Sequence, residues 1–183
     1  MGIVVIILVV IAIIVAWVIG IYNGLVVARN RMRDQWAQVD VVLKRRADLI
    51  PNLIETVKGY AKHESETLDA VINARNKAVS AKTPEEEMQA NGELSGALNH
   101  LFALAESYPD LKANTNFLEL QTELKDTEDK ISYARQFYND TVLAYQNKRE
   151  KFPSSIVANM FNFEAGKFFE AQEADKEVPK VQF

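Results

Sequence analysis

Hydrophobic positions along this chain follow two regimes. From Gly2 to Tyr22 there is no charge and almost no polar side chain. Ile3 to Ile21 alone is an apolar run of 19 residues, which as a helix crosses a hydrocarbon core of about 30 Å. Beyond it, apolar residues recur at three, four and seven, the spacing of a helix with one buried face. Leu25, Met32, Trp36, Val39, Leu43 and Ile50 form a first stripe, with only Gly24 to interrupt it. Leu53, Val57, Tyr60, Ala61, Leu68, Val71, Ile72 and Val79 form a second, and Leu94, Leu98, Leu101 and Ala105 a third. Phe117, Leu120, Leu124, Thr127, Ile131, Ala134, Tyr138, Thr141 and Tyr145 alternate by three and four, the heptad seam of a coiled coil. The prediction is an all-α chain: an N-terminal transmembrane helix, then an antiparallel four-helix bundle of long helices.

Local signals place the boundaries. Thr83-Pro84-Glu85-Glu86 is a capping box with Pro at the first helical position. Asn116 with Glu119 is a second candidate box, after the Ser107-Tyr108-Pro109-Asp110 turn. Pro153 closes the fourth helix, with Lys148, Arg149 and Lys151 suited to the negative end of its dipole. Pro51 either kinks one very long helix or makes a tight turn between two. At the helical rise, residues 23–50 and 52–80 would each span about 42 Å, which favours the turn because they match as an antiparallel pair. Ile156, Met160, Phe161, Phe163, Phe168 and Phe169 cluster around Gly166, and Val178-Pro179-Lys180-Val181-Gln182-Phe183 reads as an extended segment. The expected division is 1–22 anchor, 23–163 helical bundle and 164–183 partly extended tail. Phe168, Phe169, Val181 and Phe183 are the tail residues expected to pack on the bundle or on a partner.

Charge then narrows the classes. The 21 Lys+Arg and 25 Asp+Glu give a net charge of −4, the wrong balance for a nucleic-acid binder. A cleaved signal peptide normally has a basic start and a small-residue cleavage site; neither is present, so the apolar run is expected to remain as an anchor. Arg29, Arg31 and Arg33 follow it, and the positive-inside rule places the N-terminus outside and the large domain in the cytoplasm. These three arginines are also candidates for anionic lipid headgroups. Trp17 and Tyr22 suit the bilayer interface. Arg46 falls on the 36-39-43-50 stripe, so its charge must be paired; Glu64, Glu128 and Asp129 are the candidate partners. Asp40, Arg46, Asp48, Asn52, Arg135 and Tyr138 are grouped as an expected buried polar network.

Catalytic chemistry finds little to stand on. Cysteine is absent, and His63 and His100 are the only histidines. His63-Glu64 lacks the second histidine of a zinc-protease helix, and no Glu-x-x-His, phosphate-binding loop or nucleophile elbow occurs. No metal, cofactor or catalytic set is expected.

One run is specific enough to resemble a known family. Asp40-Val41-Val42-Leu43-Lys44-Arg45-Arg46-Ala47-Asp48-Leu49-Ile50-Pro51-Asn52-Leu53, with Tyr22-Asn23, Arg29-Asn30 and Trp36 before it, resembles the LemA family of bacterial membrane proteins. So do Tyr108-Pro109-Asp110-Leu111-Lys112-Ala113, Leu120-Gln121, Thr127-Glu128, Arg135, Tyr138-Asn139, Phe152-Pro153 and Pro179-Lys180-Val181-Gln182-Phe183. Tyr145-Gln146-Asn147 departs from the family's more direct Tyr-Asn pair. The resemblance implies a single N-terminal anchor with a short outer end, a helical-bundle domain and no established enzymatic activity. A related branch is associated with organelle formation in magnetic bacteria, which by analogy implies membrane organisation. The functional expectation is a non-enzymatic, self-associating scaffold in the bacterial inner membrane, with lipids and a second copy as partners. The alternative is an adaptor that docks a different protein.

Overall fold

A computed structural model describes residues 1–169. Its order is α1 (Gly2–Lys58), α2 (Ser65–Ser80), α3 (Pro84–Ala105), α4 (Pro109–Lys112), α5 (Thr115–Glu150) and α6 (Ser154–Met160). Every regular element among the described residues is helical, in keeping with the expected class. The residues group into two compact units. The anchor unit is Met1–Gln38 with Arg135–Phe168, and the bundle unit is Val39–Ala134 with Phe169. Helices α1 and α5 therefore contribute residues to both.

Pro51 makes no turn. It lies inside α1, which corrects the reading favoured from matched helix lengths. Proline has no N–H, so the carbonyl four residues back loses its helical donor. That carbonyl belongs to Ala47, and the Arg75 Nε–H of α2 donates to it at 3.2 Å. A side chain thus supplies what the proline removed, and the helix continues. The break falls later, between Lys58 and Ser65, where Tyr60 and Ala61 both donate their N–H to the Val57 carbonyl. Gly59 opens this segment, and glycine is about 1 kcal/mol poorer than alanine inside a helix. The second predicted stripe is consequently shared between the end of α1 and the whole of α2.

The bundle unit holds the larger core. Ile50, Leu53, Ile54 and Val57 of α1 meet Leu68 and Val71 of α2, Leu94, Leu98 and Leu101 of α3, Leu111 of α4, and Phe117 and Leu124 of α5. Each such side chain contributes about 1.5–3 kcal/mol when fully buried. The α2–α3 link is capped as anticipated: Thr83 Oγ1 accepts the Glu86 N–H at 3.2 Å. Glu86 reaches back to the Lys82 N–H at 2.9 Å, one residue earlier than a standard box. Helix α5 is capped by Asn114, whose Oδ1 accepts the Phe117 N–H at 2.9 Å; the Asn116 candidate is corrected by two positions. The heptad seam of α5 is buried against the chain's own residues: Phe117, Leu124, Thr127 and Ile131 in the bundle unit, Tyr138 and Tyr145 in the anchor unit.

In the anchor unit, Leu25 is fully buried among Tyr145, Val157, Ala158 and Phe163. Val18, Ile21, Tyr22, Val26 and Met32 pack around that cluster. Helix α6 ends in a left-handed cap. Asn162 has φ 52°, a conformation asparagine tolerates better than most residues. Phe163 N–H donates to the Ala158 carbonyl at 2.9 Å and Asn162 N–H to that of Asn159 at 3.3 Å, the paired bonds of a Schellman motif. Upstream, the 18-residue window of greatest hydropathy in α1 has none of its residues buried by the rest of the chain.

Candidate functional site

The most strongly organised polar group in the bundle unit is Arg46, a cation 1% exposed on the core face of α1. Its place on the apolar stripe follows from the three-four spacing, and its charge demands partners once water is removed. Nη1 donates to Glu128 Oε2 of α5 at 2.5 Å and to Ser95 Oγ of α3 at 2.8 Å. Nη2 donates to the Asn91 side-chain oxygen at 2.6 Å and to its carbonyl at 3.0 Å. The partners are themselves held: Asn91 Nδ2 donates to the Glu87 carbonyl at 2.9 Å and Ser95 Oγ to the Asn91 carbonyl at 3.1 Å. Burial pulls the Arg46 guanidinium below its ordinary range, and the Glu128 carboxylate opposes that pull by charge and by hydrogen bond. The arrangement clamps α1, α3 and α5 together and fixes their register. Nε is buried without a hydrogen bond, and Arg46, Ser95 and Glu128 form part of the wall of a cleft of about 280 Å³.

The remaining members of the expected network are elsewhere. Asp40, Asp48 and Asn52 are exposed, a correction with a simple geometric cause: they sit off the stripe that carries Arg46. Asp48 pairs with Lys44 at 3.3 Å on the helix surface. Arg135 and Tyr138 belong to the anchor unit; there the buried Tyr138 hydroxyl donates to the Lys167 carbonyl at 2.8 Å, and its ring meets Trp36 edge-on at 5.2 Å. Of the partners proposed for Arg46, Glu128 is the one used. Glu64 instead accepts from the Tyr108 hydroxyl at 2.7 Å, and Asp129 is exposed.

A second feature of the bundle unit was not legible in the sequence. Glu87 of α3 faces Asp40 of α1. Burial, then a hydrogen bond to Asp40, then its negative charge push the Glu87 carboxyl up to about 7. The pair lines an open cleft of about 190 Å³ with Lys44, Asp48, Arg75 and Asn91. Next to a second negative charge, the charged form of the Glu87 carboxyl is disfavoured. Nothing in the spacing of residues 40 and 87 announces their meeting, because two separate helices bring them together. Among the described residues, no three His, Asp or Glu side chains gather where they would hold a metal ion.

In the anchor unit, four side chains of α5 lash an irregular segment. Arg149 Nε donates to the Phe163 carbonyl at 2.7 Å, Tyr145 to that of Glu164 at 2.7 Å, and Gln146 to that of Gly166 at 3.2 Å. Tyr138 completes the row at Lys167. Residues 138, 145, 146 and 149 share one helical face, and the backbone they hold has no regular partner of its own. Gly166 allows the close approach: a Cβ there would lie 2.7 Å from Met32 Sδ and 3.1 Å from Val142 Cγ1. Phe168 is 41% exposed; Phe169, which belongs to the bundle unit, is buried. Val181 and Phe183, the other tail residues expected to bind, lie outside the described residues. Of the three arginines after the span, Arg29 is half-buried with its guanidinium 5.1 Å from the centre of the Phe163 ring; Arg31 and Arg33 are exposed.

These features define a class: a helical, membrane-associated protein whose one long apolar helix continues into a packed bundle stitched by polar side chains. The family comparison agrees. The LemA family model matches residues 35–183, and the chain belongs to the LemA family. It is 28% identical over 162 residues to "Protein LemA" of Metamycoplasma hominis, covering 86% of this chain and 73% of that protein. It is 23% identical over 179 residues to "Magnetosome protein MamQ 2" of Paramagnetospirillum magneticum, covering 84% of this chain and 66% of the relative. "Magnetosome protein MamQ" of Magnetospirillum gryphiswaldense matches at 22% over the same length and shares.

Proposed function

We propose that this protein is a non-enzymatic scaffold of the bacterial inner membrane that self-associates. In this reading α1 spans the bilayer with the N-terminus outside, and the remainder lies in the cytoplasm beside the positive cluster Arg29, Arg31 and Arg33. The exposed Arg31 and Arg33 meet anionic headgroups, each contributing about 1 kcal/mol near the surface. Arg29, engaged with Phe163, orders the chain at the membrane exit.

One observation carries the reading. The buried charge of Arg46 gives both terminal nitrogens to partners inside the fold, while large apolar side chains are left outside. In the bundle unit Val41, Val79 and Tyr133 are exposed; in the anchor unit Val27, Phe137 and Leu143 are. Large apolar side chains turned outward in both units, beside a buried charge that is paired within the fold, suit assembly with another chain. The magnetosome names of two relatives are in keeping with work on membranes. The heptad seam, being buried within the chain, lends self-association no support; the outward residues do.

Sedimentation of the detergent-solubilised chain over a wide concentration range tests this. Dimers or larger species that dissociate on dilution, and that weaken in Tyr133→Ser or Phe137→Ser, are expected. A strict monomer throughout, or one stoichiometric heterologous protein co-purifying from native membranes, would replace the scaffold with an adaptor.

A further inference from the structure

Helix α6 has two faces of similar chemistry and different fates. Val157 and Ala158 are 3% and 1% exposed and belong to the cluster around Leu25, against which Val18, Ile21 and Tyr22 also pack. The other side is apolar and open: Ile156 is 55% exposed and Met160, one turn on, 62%. Phe152, just before the helix, is 82% exposed and Phe161, just after it, 49%. A patch of this kind on a domain standing free in water would be an aggregation liability.

The anchor says what covers it. The Phe161 ring lies 4.9 Å from that of Tyr22, in an edge-on contact. Val18 and Ile21 lie within the uncharged run, and Val18 sits about 6 Å before Tyr22 along the helix axis. A helix packed on that last turn stands at the level where acyl chains give way to headgroups. We propose that α6 is an interfacial helix, with Phe152, Ile156, Met160 and Phe161 inserted into the cytoplasmic leaflet beside the span. Helices of this type bury an apolar face about 5–10 Å deep at that boundary. The exposed Lys148 and Lys151, at the end of α5 and in the link to α6, lie where phosphate groups would meet them. The chain thus touches lipid twice, once along α1 and once along α6, and α6 fixes the tilt and rotation that a lone span leaves free. This rests on the reading of α1 as a membrane span.

The absence of native cysteine makes the test direct. Single variants Ile14→Cys, Ile156→Cys and Lys62→Cys of the full chain carry a small fluorophore in vesicles of phosphatidylcholine and phosphatidylglycerol; Lys62 is exposed in the link between α1 and α2. Quenching by brominated lipid is compared with quenching by aqueous iodide. The expected result is strong bromolipid quenching at 14 and 156, severalfold above that at 62, with iodide showing the reverse order. Iodide quenching at 156 equal to that at 62, while 14 remains lipid-quenched, overturns the placement of α6 and leaves the span intact. Shielding of 156 from both quenchers overturns it too, since a protein contact would then cover the face. Loss of lipid quenching at 14 sinks the span and α6 together.

Discussion

Arg46 of the bundle unit sends both terminal nitrogens to side chains and a carbonyl on two other helices. In the anchor unit Tyr138, Tyr145, Gln146 and Arg149 send theirs to backbone carbonyls of a segment without regular structure. The first arrangement locks helices whose apolar faces already match. The second supplies hydrogen bonds to a backbone that has no ladder of its own, without which its carbonyls could not be buried. The first unit is specified by packing and then pinned by one charge. The second has a smaller core, and its strap depends on polar side chains and on one small residue.

The largest expected effect tests the buried charge. Glu128→Leu leaves the Arg46 cation without its anion and should cost the bundle unit about 3 kcal/mol, the low end for a broken buried pair because Glu128 is 46% exposed. Arg46→Met removes charge and desolvation together and should cost less. Hydrogen exchange of the amides from Ala90 to Leu101 reads both, and equal losses would show that the pair is not the pin.

Next comes the rescue of Pro51. Arg75→Met orphans the Ala47 carbonyl and should cost about 2 kcal/mol. In a Pro51→Ala background, where the helical N–H is restored, the same change should cost little. An additive double-mutant cycle would sever the link between these residues.

For the strap, Gly166→Ala sets a methyl group against Met32 and Val142 and should cost about 1–2 kcal/mol through overpacking. The expected sign is faster proteolysis between Phe163 and Lys167, with exchange in the bundle unit unchanged. Simultaneous loosening of both units would erase the distinction drawn between them.

The smallest effect is a pH dependence confined to the bundle unit. Glu87 holds its proton up to about 7 in the fold against an ordinary 4.5. The folded state therefore gains from protonation fully below pH 4.5, and that gain is lost as pH climbs toward 7. Glu87→Gln should flatten this slope, worth about 1 kcal/mol after allowing for the carboxyl's partial exposure to solvent. Melting curves at pH 4.5 and pH 8 measure it, and an unchanged slope in the variant would remove Glu87 as its source.

Periodicity alone determined that the chain is helical, where its core faces lie, and that residues 3–21 are apolar throughout. It also marked Arg46 as a charge in need of a partner, with Glu128 among three candidates, because a helix fixes which residues share a face. Only tertiary structure decided the rest. Pro51 stays helical because Arg75, on a different helix, replaces a missing donor. Glu87 meets Asp40 because α1 and α3 lie side by side in the bundle. Gly166 sits beside Met32 because an irregular segment is tied to α5. Each of these joins residues far apart in sequence and belongs to no repeat, so local pattern carries no trace of it.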